Sequence, residues 1–148
     1  MPLEGEYEPS DWDWVRQQVE AYEGSGGLEG TTLFDTGLPV IIVTMRGHKS
    51  GKIRKAPVMR VENGGQYAIV ASKGGDPKSP SWYFNLRADP HDVRIQDGPE
   101  VFDVTVRELE GEERELWWRL AVAAYPPYEE YQAATERVIP VLVATRKS

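Results

Sequence analysis

Cysteine is absent from the chain, and histidine occurs only twice, at His48 and His91. Without cysteine there is no disulfide framework, thiolate nucleophile, iron–sulfur cluster or Cys-based zinc site. A reducing compartment is compatible with this. Neither histidine has an acid at ligand spacing, so no metal site is expected. Long apolar runs are also missing, and the longest, near Pro39–Met45, is far too short to span a bilayer. The opening MPLEGEYEPSDWDW lacks the basic and apolar parts of a secretory signal. These absences lead to the expectation of a cytoplasmic protein. The net charge of −7 argues against nucleic acid as a partner. No nucleophile elbow or zinc-protease helix occurs.

What is present is a globular balance. The chain has 148 residues, the size of one ordinary domain, with 40% hydrophobic and 28% charged residues. Positive charge is unevenly spread. Six of the 17 basic residues (Arg46, Lys49, Lys52, Arg54, Lys55 and Arg60) stand in fifteen positions with no Asp or Glu among them. Such a run repels itself unless something neutralises it, which points to a local anion. A lysine-blunted strand edge is the simpler alternative.

Periodicity predicts a helix over Ser10–Tyr22 capped by Ser10, followed by a glycine-rich loop. Strands are expected at Pro39–Arg46, about Arg54–Val61, and Gln66–Ala71, the last two joined as a hairpin by Asn63-Gly64-Gly65. Ser79 and Pro80 then read as the N-cap and first position of a short helix through Ala88. Alternation predicts strands at Asp92–Gln96 and Val101–Glu108. Two helices, Glu112–Ala124 and Pro127–Arg137, and a strand, Ile139–Ala144, complete the order. Leu116, Trp117, Leu120, Ala121 and Ala124 form the expected apolar face of the first of these helices. The order is α+β, with enough antiparallel strands to close a small barrel.

Four segments can carry chemistry. Gly47–Lys55 links two strands with glycines, Ser50 and four cations, a combination suited to an anion. It is not a Walker loop, because only three residues separate its glycine from its Gly-Lys. Ala71–Pro77 ends a strand in a hydroxyl, a cation and two glycines before a helix, which suits an anion nest. Pro80–Leu86 is an aromatic-rich helix able to floor a planar ring or simply to fill core, with Asn85 needing partners. Tyr125, Tyr128 and Tyr131 offer phenols near one helix mouth, as proton donors, stacking walls or packing groups.

Taken in order, GHKSGKIRKAPV, VASKGGDPKSPSWYFNL and AAYPPYEEYQAATERVIPV resemble the deazaflavin-dependent nitroreductase and quinone reductase family, small actinobacterial enzymes. The resemblance runs from about Leu38 to Val143. It implies a split β-barrel of the FMN-binding type with flanking helices. Residues 1–37 would form an N-terminal helix and loop, and residues 38–148 the barrel, in one domain overall. The implied cofactor is coenzyme F-420, an 8-hydroxy-5-deazaflavin with a phosphodiester and an oligoglutamate tail.

By the resemblance, His48, Lys49, Ser50, Arg54, Lys55, Ala56 and Pro57 grip the phosphate and tail. Ala71, Ser72, Lys73, Ser81, Trp82, Tyr83 and Asn85 hold the ring and its side chain, and Tyr128 also lies at the cofactor. Ser72, Tyr125, Tyr128 and Tyr131 would flank the acceptor, with a hydroxyl donating a proton or hydrogen bond. The implied chemistry is hydride transfer from C5 of the reduced cofactor to a quinone-like or other electron-poor acceptor. Met59 stands where nitroimidazole-activating relatives carry a tyrosine, and methionine has no proton to give. A homodimer is a possible assembly by the same resemblance, and membrane contact is expected to be weak and peripheral at most. The alternatives are a non-catalytic deazaflavin carrier, an FMN-binding oxidoreductase on the same barrel, and a module for acidic protein tails.

Overall fold

A computed structural model describes residues 5–33, 37–73 and 79–147. Its elements in chain order are α1 (Asp13–Gly24), β1 (Val40–Arg46), β2 (Ile53–Met59), β3 (Glu62–Asn63), β4 (Gln66–Val70) and α2 (Ser81–Ala88). They continue with β5 (Val93–Asp97), β6 (Glu100–Glu108), α3 (Gly111–Ala124), α4 (Pro127–Ala133) and β7 (Val141–Arg146). All pairings between the strands are antiparallel, in the order β2-β1-β5-β6-β7-β4-β3. β2 and β4 stand far apart in that order, yet the chain just after β2 reaches β4, where the Ala68 amide donates to the Val61 carbonyl at 2.8 Å. The sheet is therefore curled into a half-barrel, the split-barrel α+β architecture expected.

Two apolar layers hold it. Inside the curl lie Ile41, Val43, Met45, Val58, Ile69, Ile95, Val106 and Leu142, closed by Tyr83 and Leu86 of α2. On the outer face, Ile42, Val70, Val141 and Val143 lie under Val19 and Tyr22 of α1, Trp117 and Ala121 of α3, and Tyr128 of α4. β1 feeds both layers, and this is why it reads as an unbroken apolar run rather than an alternating one.

Several local expectations are corrected. Asn63 pairs with Gln66 around Gly64 and Gly65, both at positive φ, so the predicted turn forms. However, it joins the two-residue β3 to β4, whereas β2 pairs along its length with β1. Local turn chemistry fixes the turn but not the long-range partner of the strand before it. α1 starts at Asp13, with Trp12 rather than Ser10 at the N-cap position, and the Ser10 hydroxyl accepts from the Trp12 amide. Pro80, not Ser79, occupies the N-cap position of α2. α4 stops at Ala133, so Arg137 lies beyond it, and β7 runs later than expected, to Arg146. Leu116 is 53% exposed, because α3 turns Trp117 and Ala121 inward instead.

Candidate active site

The split in the barrel opens a cavity of about 750 Å³. Arg54–Met59 of β2 form one wall, and Ser72, Lys73, Ser81, Trp82 and Asn85 form another. α1 contributes Trp14 and Val15, with Trp12 just before it, and Tyr125, Tyr128 and Tyr131 close the end near α4.

The expected residues are thus largely brought together. Arg54, Lys55, Ala56, Pro57, Met59, Ser72, Lys73, Ser81, Trp82, Asn85, Tyr125, Tyr128 and Tyr131 all line the cavity. His48, Lys49, Ser50, Ala71 and Tyr83 do not. Tyr83 points into the inner core, where its hydroxyl donates to Glu108 Oε1 at 2.7 Å. Ala71 is fully buried. His48 stands behind the wall: the buried Asn85 accepts from its amide at 2.9 Å, and the imidazole Nδ1 meets the same oxygen. That contact satisfies the Asn85 side-chain oxygen, and it ties α2 to the β1–β2 loop. Gly74–Pro77, the glycine nest, lies outside the described residues.

The cation end has a feature the composition concealed. Most of the crowded cations have a carboxylate from a distant part of the chain. Arg46 pairs with Asp92 at 3.0 Å, Lys52 with Glu6 at 3.4 Å, Arg54 with Glu8 at 2.9 Å, Lys55 with Glu23, and Arg60 with Asp97 at 3.0 Å. The hydrogen bond from Arg54 holds the Glu8 carboxyl below its usual range. Lys49 makes no ion pair among the described residues.

The phenol end is neutral. Tyr125 and Tyr128 meet edge to face with ring centroids 4.9 Å apart, and Tyr131 completes the cluster. The Tyr125 and Tyr131 hydroxyls are 2.9 Å apart and share a hydrogen bond. The Tyr128 hydroxyl has no hydrogen-bond partner among the described residues, and no sealed polar side-chain atom there lacks one. Tyr128 lines the cavity, and its hydroxyl proton is not spent on another group among the described residues. Burial first, then the neighbouring phenols, pushes the Tyr128 pKa well up, and burial and Tyr131 push that of Tyr125 up to about 12. Both stay protonated at neutral pH.

Two contributors escaped sequence reasoning. Trp12 and Trp14 border the cavity with ring centroids 6.4 Å apart, although nothing in a helix pattern says what its N-terminus will face. Arg137 donates to the carbonyls of Ala71 at 3.2 Å and Ser72 at 2.7 Å, and to Ser79 Oγ at 3.3 Å. It pins both flanks of the loop that presents Ser72, next to Lys73 in the left-handed backbone region at φ 46°.

The family model for F420H(2)-dependent quinone reductase matches residues 14–146. The chain belongs to that family. An F420H(2)-dependent quinone reductase of Mycobacterium tuberculosis is 37% identical over 136 residues, 90% of either chain. A solved F420-H2 dependent reductase is 63% identical, covering 72% of this chain and 93% of its own, with a TM-score of 0.68. A structure described as a domain-swapped dimer is 57% identical over 91% of this chain and 99% of its own, with a TM-score of 0.70. A FAD-binding protein of Mesorhizobium loti, 14% identical over 86% of this chain and 88% of its own, shares the family's fold with a TM-score of 0.55. Among the described residues no helix is long and apolar enough to cross a membrane, and no three His, Asp or Glu side chains converge as a metal site would require.

Proposed function

We propose that this chain is a coenzyme F-420-dependent reductase of quinone-like acceptors, with residues 5–33 and the half-barrel acting as one domain. The observation that carries this reading is one cavity, in a chain of this family, that joins cations of β2 to a phenol cluster in which Tyr128 keeps its hydroxyl free among the described residues. The donor set fits the cofactor. Arg54 and Lys55 suit an anionic tail, Lys49 in the preceding loop has no ion pair among the described residues, and Trp82 with the apolar face of β2 suits a planar ring.

When bound, the reduced deazaflavin supplies a hydride. A quinone that accepts a hydride at one oxygen-bearing ring system needs one proton to become the hydroquinone. The Tyr128 hydroxyl, kept protonated by its burial, donates a hydrogen bond to the developing oxyanion, and the proton that completes the hydroquinone comes from solvent. Ser72, also without a side-chain partner among the described residues, offers a second donor. Tyr125 and Tyr131 fix the Tyr128 ring through edge contacts and are themselves spent on each other. Trp12, Trp14 and Val15 border the acceptor side. Met59, in the β2 wall, is apolar, which favours a quinone over a nitroimidazole needing a donor there. A homodimer belongs to the same reading, supported by the dimeric relative at 57% identity.

The test is single-turnover oxidation of reduced F-420 by menadione. Rapid return of the oxidised cofactor's absorbance, dependent on the protein, is expected. Tight binding of the cofactor with no reaction toward any quinone would identify a carrier instead.

A further inference from the structure

The edge of β2 is not bare. Residues 5–8 run alongside it, with Tyr7 bridged in parallel to Ile53. The Ile53 amide donates to the Glu6 carbonyl at 2.7 Å, and the Glu8 amide donates to the Ile53 carbonyl at 2.9 Å. These two backbone bonds place Glu6 on Lys52 and Glu8 on Arg54, and Glu8 also accepts from Ser50 Oγ at 3.5 Å. Tyr7 meanwhile sits under the Lys55 ammonium, 5.2 Å from ring centroid to Nζ. The segment thus lays two carboxylates, two residues apart, along the cations of β2 and the loop before it. Arg54 belongs to both partners: it lines the cavity and holds Glu8.

We infer that residues 5–8 are an internal anionic occupant of the cation end, and that Glu6 and Glu8 make this end select ligands carrying several adjacent negative charges. The inference rests on the reading above, in which the cation end receives the anionic part of the cofactor. A ligand that takes Arg54 must first displace Glu8. A single negative charge regains one cation while releasing one carboxylate, so it gains little. A chain of charges takes Arg54 and Lys52 together and displaces both carboxylates in one step, with Lys49 of the same loop, which has no ion pair among the described residues, as a further cation. The hold is suited to release. Besides the long Ser50 contact and the Tyr7 ring under Lys55, it rests on two backbone bonds and ion pairs whose side chains are 32–75% exposed. The β1–β2 register, by contrast, runs over seven residue pairs.

The test compares the wild-type chain with the Glu6→Gln/Glu8→Gln double variant, which keeps the backbone bonds. Coenzyme F-420 and inorganic triphosphate are each titrated at low and high salt, and amide hydrogen exchange at Glu8 and Ile53 is followed. The variant should bind both anions about three- to tenfold tighter at low salt, because less of the site is self-occupied. The gap should close as salt rises. In the wild type, saturation with either anion should strip protection from both amides. Should the strap effect appear with triphosphate while F-420 binds neither protein, this inference stands and the cofactor reading falls. Equal or weaker anion binding by the variant, with both amides still protected in the bound wild type, overturns it, as does failure of both proteins to bind either anion.

Discussion

One end of the cavity is charged and partly exposed, with guanidinium and ammonium groups held by carboxylates from far along the chain. The other is neutral, with Tyr128 buried between the half-buried Tyr125 and Tyr131, edge to face with both, and one hydroxyl left over. The difference is one of task. Charge–charge attraction acts over several ångströms and tolerates mobile side chains, so it suits capture of a ligand. A donor to a developing oxyanion must be placed within tenths of an ångström, and packing in a core does that. Binding should therefore be lost at one end and turnover at the other.

The largest effect should come from Tyr128→Phe. Removing a hydrogen-bond donor to a developing oxyanion commonly costs about 10²-fold or more in rate. Single-turnover oxidation of the reduced cofactor should slow by that order, while F-420 affinity changes by less than about threefold because the ring packing is kept. Equal losses in both quantities would erase the division between the ends. Next in size, Arg54→Glu should weaken F-420 binding by about 10–100-fold, since charge-assisted bonds contribute roughly 1.5–3 kcal/mol. Turnover at saturating cofactor should survive. Lys49→Glu, outside the cavity wall, should cost less than Arg54→Glu in the same titration.

Arg137→Ala sharpens the comparison from outside both ends. It leaves the Ala71 and Ser72 carbonyls without their donor, so urea unfolding should show a loss of about 1–3 kcal/mol. Turnover should fall through a misplaced Ser72, with F-420 affinity retained. The smallest effect is alkaline. The folded-state pKa of Tyr125 lies above its ordinary 10, up to about 12, through burial and then Tyr131. The unfolded chain gives up this proton first as pH rises. The associated stability is complete below pH 10 and lost between 10 and 12. Urea midpoints of Tyr125→Phe should consequently fall less steeply across that range than those of the wild type.

How much of this was legible beforehand depends on how local each feature is. The apolar run of β1 and the positive-φ turn at Gly64-Gly65 are written in adjacent residues, and both were readable. The crowding of cations from Arg46 to Arg60 was equally plain, because charge is visible in composition. Their neutralisation was not. Glu6, Glu8 and Glu23 lie 30 or more positions earlier, and only the docking of residues 5–8 and α1 against β2 brings them over. For the same reason Tyr83 was misplaced: its motif neighbours Ser81, Trp82 and Asn85 face the cavity, but helical geometry turns Tyr83 to the core. The phenols could be named from their spacing. Which of them keeps a free hydroxyl follows from the Tyr125–Tyr131 bond, a matter of side-chain orientation that spacing does not encode.

The central claim is that one cavity takes a deazaflavin by its anionic part and holds its ring beside the phenols. Titration of the chain with coenzyme F-420, followed by the cofactor's fluorescence with flavin mononucleotide in parallel, tests it most directly. F-420 should bind tightly, saturably and with strong salt sensitivity, and the flavin much more weakly. Flavin binding as tight as that of F-420, or no binding of either, would contradict it.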